Sequence, residues 1–159
     1  MFTLLDSVYY RLKKEEIIKG YIKLKKIETA HILQSLTKTC WKYNIQCNTL
    51  IKTYNILIVK MTGMTETVVF KYHKTNLVSK DEIDFFMNEL DINKAHKGVY
   101  ITTGLFRELD TFSSRRLLLK KDVMLIDRYA FIKEQLGLTG KSLEVINADK
   151  LKFYKYLPQ

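Results

Sequence analysis

The sequence of 159 residues is the length of one domain with a core of its own, and a make-up of 47% apolar and 28% charged residues reads as a soluble globular protein. No apolar run nears the roughly 18 residues that span a bilayer, and there is no repeat, linker or low-complexity tract. The 27 Lys and Arg against 17 Asp and Glu leave a net charge of +10, a surplus that suits a polyanionic partner, nucleic acid first.

Residues 4–43 read as helix, with a break predicted at Gly20. In the second piece Ile27, Ala30, Leu33 and Trp41 recur near one face. The first 43 residues hold nine basic and four acidic side chains, half of the whole surplus. The N-terminus is basic and amphipathic but lacks the apolar core and cleavage site of a signal peptide, and Asp6, Glu15 and Glu16 are foreign to a transit peptide. Cys40 and Cys47 make no zinc spacing with the three histidines and read as buried or idle thiols of a reducing compartment.

Strands follow. "IQCNTLI" is a weak one. "YNILIVKM" and "TVVFKYHK" are rich in β-branched and apolar residues, and the turn around Gly63 makes them a hairpin. "SKDEIDFFMNEL" opens with Ser79 and Glu82 at capping-box spacing, and Ile83, Phe86, Met87 and Leu90 line one helical face. The strand "GVYIT" comes next, then a stretch read as helix that carries Arg107, Arg115, Arg116, Lys120 and Lys121. "VMLI" is a strand, "RYAFIKEQLGL" a helix ending near Gly137 and Gly140, and "SLEVINADKLKFYKYL" a short strand or turn followed by a helix. Near-continuously apolar strands alternating with helices predict an α/β sandwich, a mixed sheet covered on both faces.

Chemistry is expected first at the hairpin. A hydrolytic nuclease holds Mg²⁺ with carboxylates on neighbouring strands, about 5 Å apart, and uses a lysine beside them to stabilise the developing charge. The order of pieces resembles the Mrr-like restriction endonucleases of the PD-(D/E)xK nuclease superfamily. "IETAHILQSL" is similar to that family's opening helix, "YNILIVKMTGMTETVVFKYHK" to its catalytic hairpin, and "LVSKDEIDFF" to the segment that begins the next helix. "KGVYITTGLF" with "VMLIDRYAFIKEQLGL" resembles its strand ending in Ile-Thr-Thr and its later Leu-Ile-Asp. The resemblance covers about residues 27–138. It implies a restriction-endonuclease-like three-layer sandwich, with residues 1–26 a basic helical extension and 139–159 a tail packing on the domain.

The resemblance also implies site residues, and here the chain departs from the pattern. Glu28 matches the helix glutamate and Lys71 the catalytic lysine, seven residues before Val78. Asn55 stands where an aspartate is implied, and Val69 where a glutamate or glutamine is implied. A shifted frame, Lys71-Tyr72-His73, supplies no acid either. A hard dication wants charged oxygen ligands, so the pattern implies a degenerate site that binds no metal, with Mg²⁺ the cofactor only of an active one.

Candidate DNA contacts are Lys60 and Lys74 on the hairpin, Thr102 and Thr103 at a strand end rich in hydroxyls and N–H groups, and Arg115, Arg116, Lys120 and Lys121. His31, His73 and His96 read as structural or exposed, and Tyr100, Phe106 and Phe112 as core. Three functions stand open. The first is a DNA-binding protein of nuclease type that does not cut. The second is an active Mg²⁺-dependent endonuclease with a rearranged site of Glu28, Asn55, Glu66 and Lys71. The third is a non-catalytic subunit similar to the jaw domain of the fifth common subunit of eukaryotic RNA polymerases. The expected setting is intracellular, cytoplasmic or nucleoid with an organelle also open, without a membrane partner, as a homodimer or within a larger complex.

Overall fold

The computed structural model describes residues 3–107, 114–118 and 122–159. Helix α1 (Leu4–Lys26) begins with a reciprocal cap: the Asp6 N–H donates to Thr3 Oγ1, and the Thr3 N–H donates back to the Asp6 carboxylate. It runs unbroken through Gly20, contrary to the predicted break. A Cβ at Gly20 would lie 3.0 Å from Ser142 Oγ and 3.1 Å from Ile132 Cγ2, so the residue serves close helix packing, not termination. The helix ends instead at Ile27, where the chain turns extended. Helix α2 (Thr29–Lys42) buries Thr29, Ile32, Leu36 and Cys40. That face is rotated from the one read in the sequence, and Trp41 is 83% exposed.

Strands β1 (Gln46–Lys52), β2 (Ile56–Thr62) and β3 (Thr67–His73) form the expected antiparallel meander. Two-residue β4 (Leu77–Val78) leads into α3 (Lys80–Ile92), whose Ser79–Glu82 capping box is present in both directions. Strand β5 (Lys97–Thr102) then pairs parallel to β3, and β6 (Leu105–Phe106) pairs parallel to β4. The stretch holding Arg115 and Arg116 is a strand, β7 (Ser114–Leu118), not the predicted helix. It pairs antiparallel with β8 (Asp122–Ile126), which is itself parallel to β5. Helix α4 (Arg128–Leu136) starts on the Asp127 side chain, which accepts from the Ala130 N–H. The tail holds a single turn, α5 (Ser142–Val145), and a 3-10 turn at Tyr154–Tyr156 in place of a longer helix.

Among the described residues the result is one mixed six-stranded sheet, in the order β1-β2-β3-β5-β8-β7, with a two-stranded β4–β6 ribbon beside it. Strand alternation sends side chains to two cores. Leu57, Val59, Met61, Phe70, Tyr72 and Ile101 pack with Ile17 and Leu24 of α1, with Ile32 and Leu36 of α2, with α4, and with Ile146 and Phe153 of the tail. Ile58, Val69, Tyr100, Val123 and Leu125 pack with Phe86 and Leu90 of α3 and with Phe106. The sheet is thus covered on both faces, and residues 4–26 and 139–159 contribute to the same core as the strands. No helix among the described residues is long and apolar enough to cross a membrane.

Candidate functional site

The polar groups of the sheet gather on one face, near the end where β2 starts and β3 and β5 finish. In β3, Val68, Phe70 and Tyr72 point to the core under α1, α2 and α4, so Val69, Lys71 and His73 point to the α3 side. Pairing places Ile58, Lys71 and Tyr100 side by side across three strands, and one step further Ile56, His73 and Thr102.

Lys71 is only 2% exposed. Its ammonium lies 4.6 Å from the centroid of the Tyr100 ring and 5.8 Å from that of Phe85. Burial lowers its pKa, and the carboxylates of Glu82 and Glu89 on α3 oppose that shift. Among the described residues no carboxylate lies within ion-pair distance of it. His73, equally buried, shares a 2.8 Å hydrogen bond between Nδ1 and the Tyr100 hydroxyl, and its Nε2 is 3.9 Å from Glu82 Oε1. Burial and then the Lys71 charge lower the His73 pKa, against the pull of Glu82. Burial raises that of Tyr100. His73 and Tyr100 are therefore held neutral and bonded to each other, beneath a carboxylate that also serves the α3 cap through Ser79. Sequence reasoning found no partner for His73. The bond depends on a parallel register between β3 and β5 that no local pattern specifies.

Asn55 stands at the mouth of this face. Its carbonyl accepts from the Lys74 N–H at 2.7 Å, and its side-chain oxygen accepts from Thr53 Oγ1 at 2.9 Å. It sits opposite Lys74, three residues beyond Lys71, about 10 Å along the strand. Glu28 is exposed at the start of α2 and makes no capping bond. It reaches the same end of the sheet because Thr29 Oγ1 donates to the Thr53 carbonyl at 2.5 Å, but α2 packs on the opposite face from Lys71. Val69 is fully buried in the α3-side core. Glu66 is at the far end of the hairpin, where it meets Lys97 at 3.2 Å and accepts from the Gln159 N–H. Six residues of strand separate it from His73, about 20 Å, which removes it from any rearranged site.

The donor set does not fit Mg²⁺. The amide oxygen of Asn55 is already bonded and neutral, Val69 offers nothing, and Glu28 and Glu66 lie elsewhere. Among the described residues no three of His, Cys, Asp and Glu converge as a cation site.

Thr102 and Thr103 are buried, and their hydroxyls are used inside the fold. Thr102 Oγ1 accepts from the Gly104 N–H, while Thr103 Oγ1 bonds both the N–H and the carbonyl of Thr75. A Cβ at Gly104 would fall 2.2 Å from the Thr75 carbonyl oxygen, so only glycine lets the two loops touch. The Thr-Thr-Gly sequence is a clasp between β5 and the loop after β3, not an open phosphate cradle.

The cations are arranged differently. Exposed Lys52 precedes Thr53, half-buried Lys74 donates its N–H to Asn55, and exposed Lys25 and Lys26 close α1 shortly before Thr29, whose hydroxyl bonds the Thr53 carbonyl. Lys60 is half-buried on β2, opposite Val69. Arg115 and Arg116 lie on the edge strand β7, while Lys120, Lys121 and Phe112 fall outside the described residues. Helix α3 carries one lysine and five acids, the reverse of α1 and α2. No family model matches the chain, and no curated protein matches it.

Proposed function

We propose that the protein is a DNA-binding module of restriction-endonuclease-like fold that does not cleave its ligand. The observation that carries the reading is Val69. The position two residues before Lys71, where the resemblance implies an acid, is filled by a valine with no exposed surface, packed among Ile58, Phe86 and Leu90. A carboxylate there would be buried in an apolar core and strongly disfavoured. Lys71, drawn under α3 onto the Tyr100 ring, then serves the packing of the sheet and has no metal-bound water to assist. An antiparallel hairpin followed by parallel β5 and β8, with helices on both faces, is compatible with the implied three-layer sandwich. The net charge of +10 and the lysines gathered at one end of the sheet support a phosphate backbone as the partner.

The test is a paired assay on the purified chain, with labelled duplex and single-stranded DNA over a salt series and with Mg²⁺ or Mn²⁺ added. Binding that weakens steeply with salt, without nicking, is expected. Reversing Lys52 and Lys74 to glutamate should lower the slope of log K against log salt by about 0.9 for each phosphate that is no longer neutralised. Metal-dependent nicking that disappears in Lys71→Ala would overturn the reading and return the chain to the active nucleases.

One observation favours a second reading, a non-catalytic subunit of a larger polymerase-type assembly. Leu4, Leu5, Val8, Leu12, Ile18 and Ile22 are all exposed on the outer side of α1, interleaved with exposed Arg11, Glu15 and Lys19, and exposed apolar side chains in such number are of the kind that protein partners cover. Absence of any DNA binding, together with copurification of a multisubunit complex, would select it.

A further inference from the structure

Two cysteines stand outside the site described above. Cys40 lies in the last turn of α2 with 1% exposure, inside the core shared with Leu36 and Leu57. Cys47 is the second residue of β1, half-buried, and packs against the same core from the sheet edge. The intervening chain folds back tightly. Ile45 N–H donates to the Cys40 carbonyl at 2.8 Å, and Asn44 adopts a left-handed φ of 56°. The return sets Cys47 beside the end of α2, on the core that encloses Cys40, near enough for each thiol to shift the other's ionisation. Thr37 Oγ1, one helical turn before Cys40, lies 4.0 Å from Cys47 Sγ.

We propose that Cys40 and Cys47 are a peroxide-reactive dithiol, with Cys47 the attacking and Cys40 the resolving thiol. Geometry assigns the roles, since Cys47 is the thiol with surface access and Cys40 the sealed one beside it. The electrostatics agree. The neighbouring Cys40 thiol, with a smaller share from the Thr37 hydroxyl, outweighs burial and brings the Cys47 pKa down to about 7. The neighbouring Cys47 and burial push that of Cys40 up.

In the first step the Cys47 thiolate attacks one peroxide oxygen. The S–O bond forms as the O–O bond breaks, and hydroxide leaves and takes a proton to become water. Cys47 is then a sulfenic acid. In the second step the Cys40 sulfur gives up its proton and attacks the Cys47 sulfur. The S–S bond forms, the S–O bond breaks, and a second water departs. Two thiols have lost two electrons to one peroxide, and the product ties the end of α2 to the edge strand β1. The proposal is independent of the DNA-binding reading.

The experiment treats the native, full chain with hydrogen peroxide at near-stoichiometric amounts and follows free thiols, intact mass and cysteine-containing peptides. The expected product is a monomer lighter by two hydrogens, with a peptide linking residues 40 and 47. Cys40→Ser should stop at a sulfenic acid that dimedone traps on Cys47. Brief alkylation of the native wild type, which needs no variant to fold, should label Cys47 first, at pH 7 roughly tenfold faster than an unperturbed thiol. Thiols that survive peroxide in the folded chain, a disulfide between two chains, or Cys40 labelled as fast as Cys47 would each overturn it.

Discussion

The two faces of β3 are built from the same seven residues and could hardly differ more. Toward α1, α2 and α4 the strand presents Val68, Phe70 and Tyr72, which join a predominantly apolar and aromatic core with Phe131 and Phe153. Toward α3 it presents Val69, Lys71 and His73, of which two are ionisable and nearly as buried as the phenylalanines. The first face is held by area and shape, the second by a matched set of polar partners. A face of the first kind tolerates imperfect chemistry but not lost volume. A face of the second kind tolerates little loss of partners, because each unpaired group in a low dielectric is costly.

The largest break is expected on the apolar side. Phe70 is fully buried, edge-on to Phe153 at 5.7 Å and tilted against Tyr156. Phe70→Ala should cost about 3–5 kcal/mol, read from urea or thermal unfolding, and a cost under about 1 kcal/mol would mean that the tail does not pack on the sheet as described.

The polar side is tested next by Tyr100→Phe, which keeps the ring under Lys71 and deletes only the hydroxyl bonded to His73. Leaving His73 without that partner should cost about 1–3 kcal/mol. An unchanged midpoint would show that the His73–Tyr100 bond contributes nothing.

A pH series sharpens the same point. The folded pKa of His73 is lowered from its ordinary value, by burial first and by Lys71 second. Below about pH 6.5 the unfolded chain takes up a proton that the folded chain refuses. Stability should therefore fall as pH drops from 7 through that value, until the folded pKa is reached. Urea midpoints at pH 7, 6 and 5 would measure the fall, and His73→Gln should flatten it. An equal slope in the variant would assign the acid sensitivity to other groups.

How much of this was legible in the sequence follows the range of the interactions. The α3 capping box, the β2–β3 hairpin and β5 rest on contacts within a few residues, and each lies where the pattern put it. The capping box holds because Ser79 and Glu82 meet within one turn, whatever surrounds them. "SRRLL" in β7 lacks alternation and became a strand through its pairing with β8. Gly20 looked like a stop and is a point of contact with Ser142, more than a hundred residues away. The His73–Tyr100 bond and the Thr103–Thr75 clasp depend on the parallel β3–β5 register, which no local spacing encodes. Asn55 and Val69 were visible as departures from the nuclease pattern, while the burial that makes Val69 informative was not.

The smallest expected effect reverses the sign of the tyrosine experiment. Tyr72 belongs to the apolar face, is fully buried edge-on to Phe131, and its hydroxyl has no hydrogen-bond partner among the described residues. Burial raises its pKa, so the phenol stays neutral, but a neutral hydroxyl still loses its bonds to water on folding. Tyr72→Phe removes that loss and keeps the ring, and should raise stability by about 1 kcal/mol. The same one-atom deletion on neighbouring strands is thus expected to destabilise at residue 100 and stabilise at residue 72. If both variants are destabilised, the Tyr72 hydroxyl has a partner. If both are neutral, the contrast between the two faces of β3 carries no energetic weight.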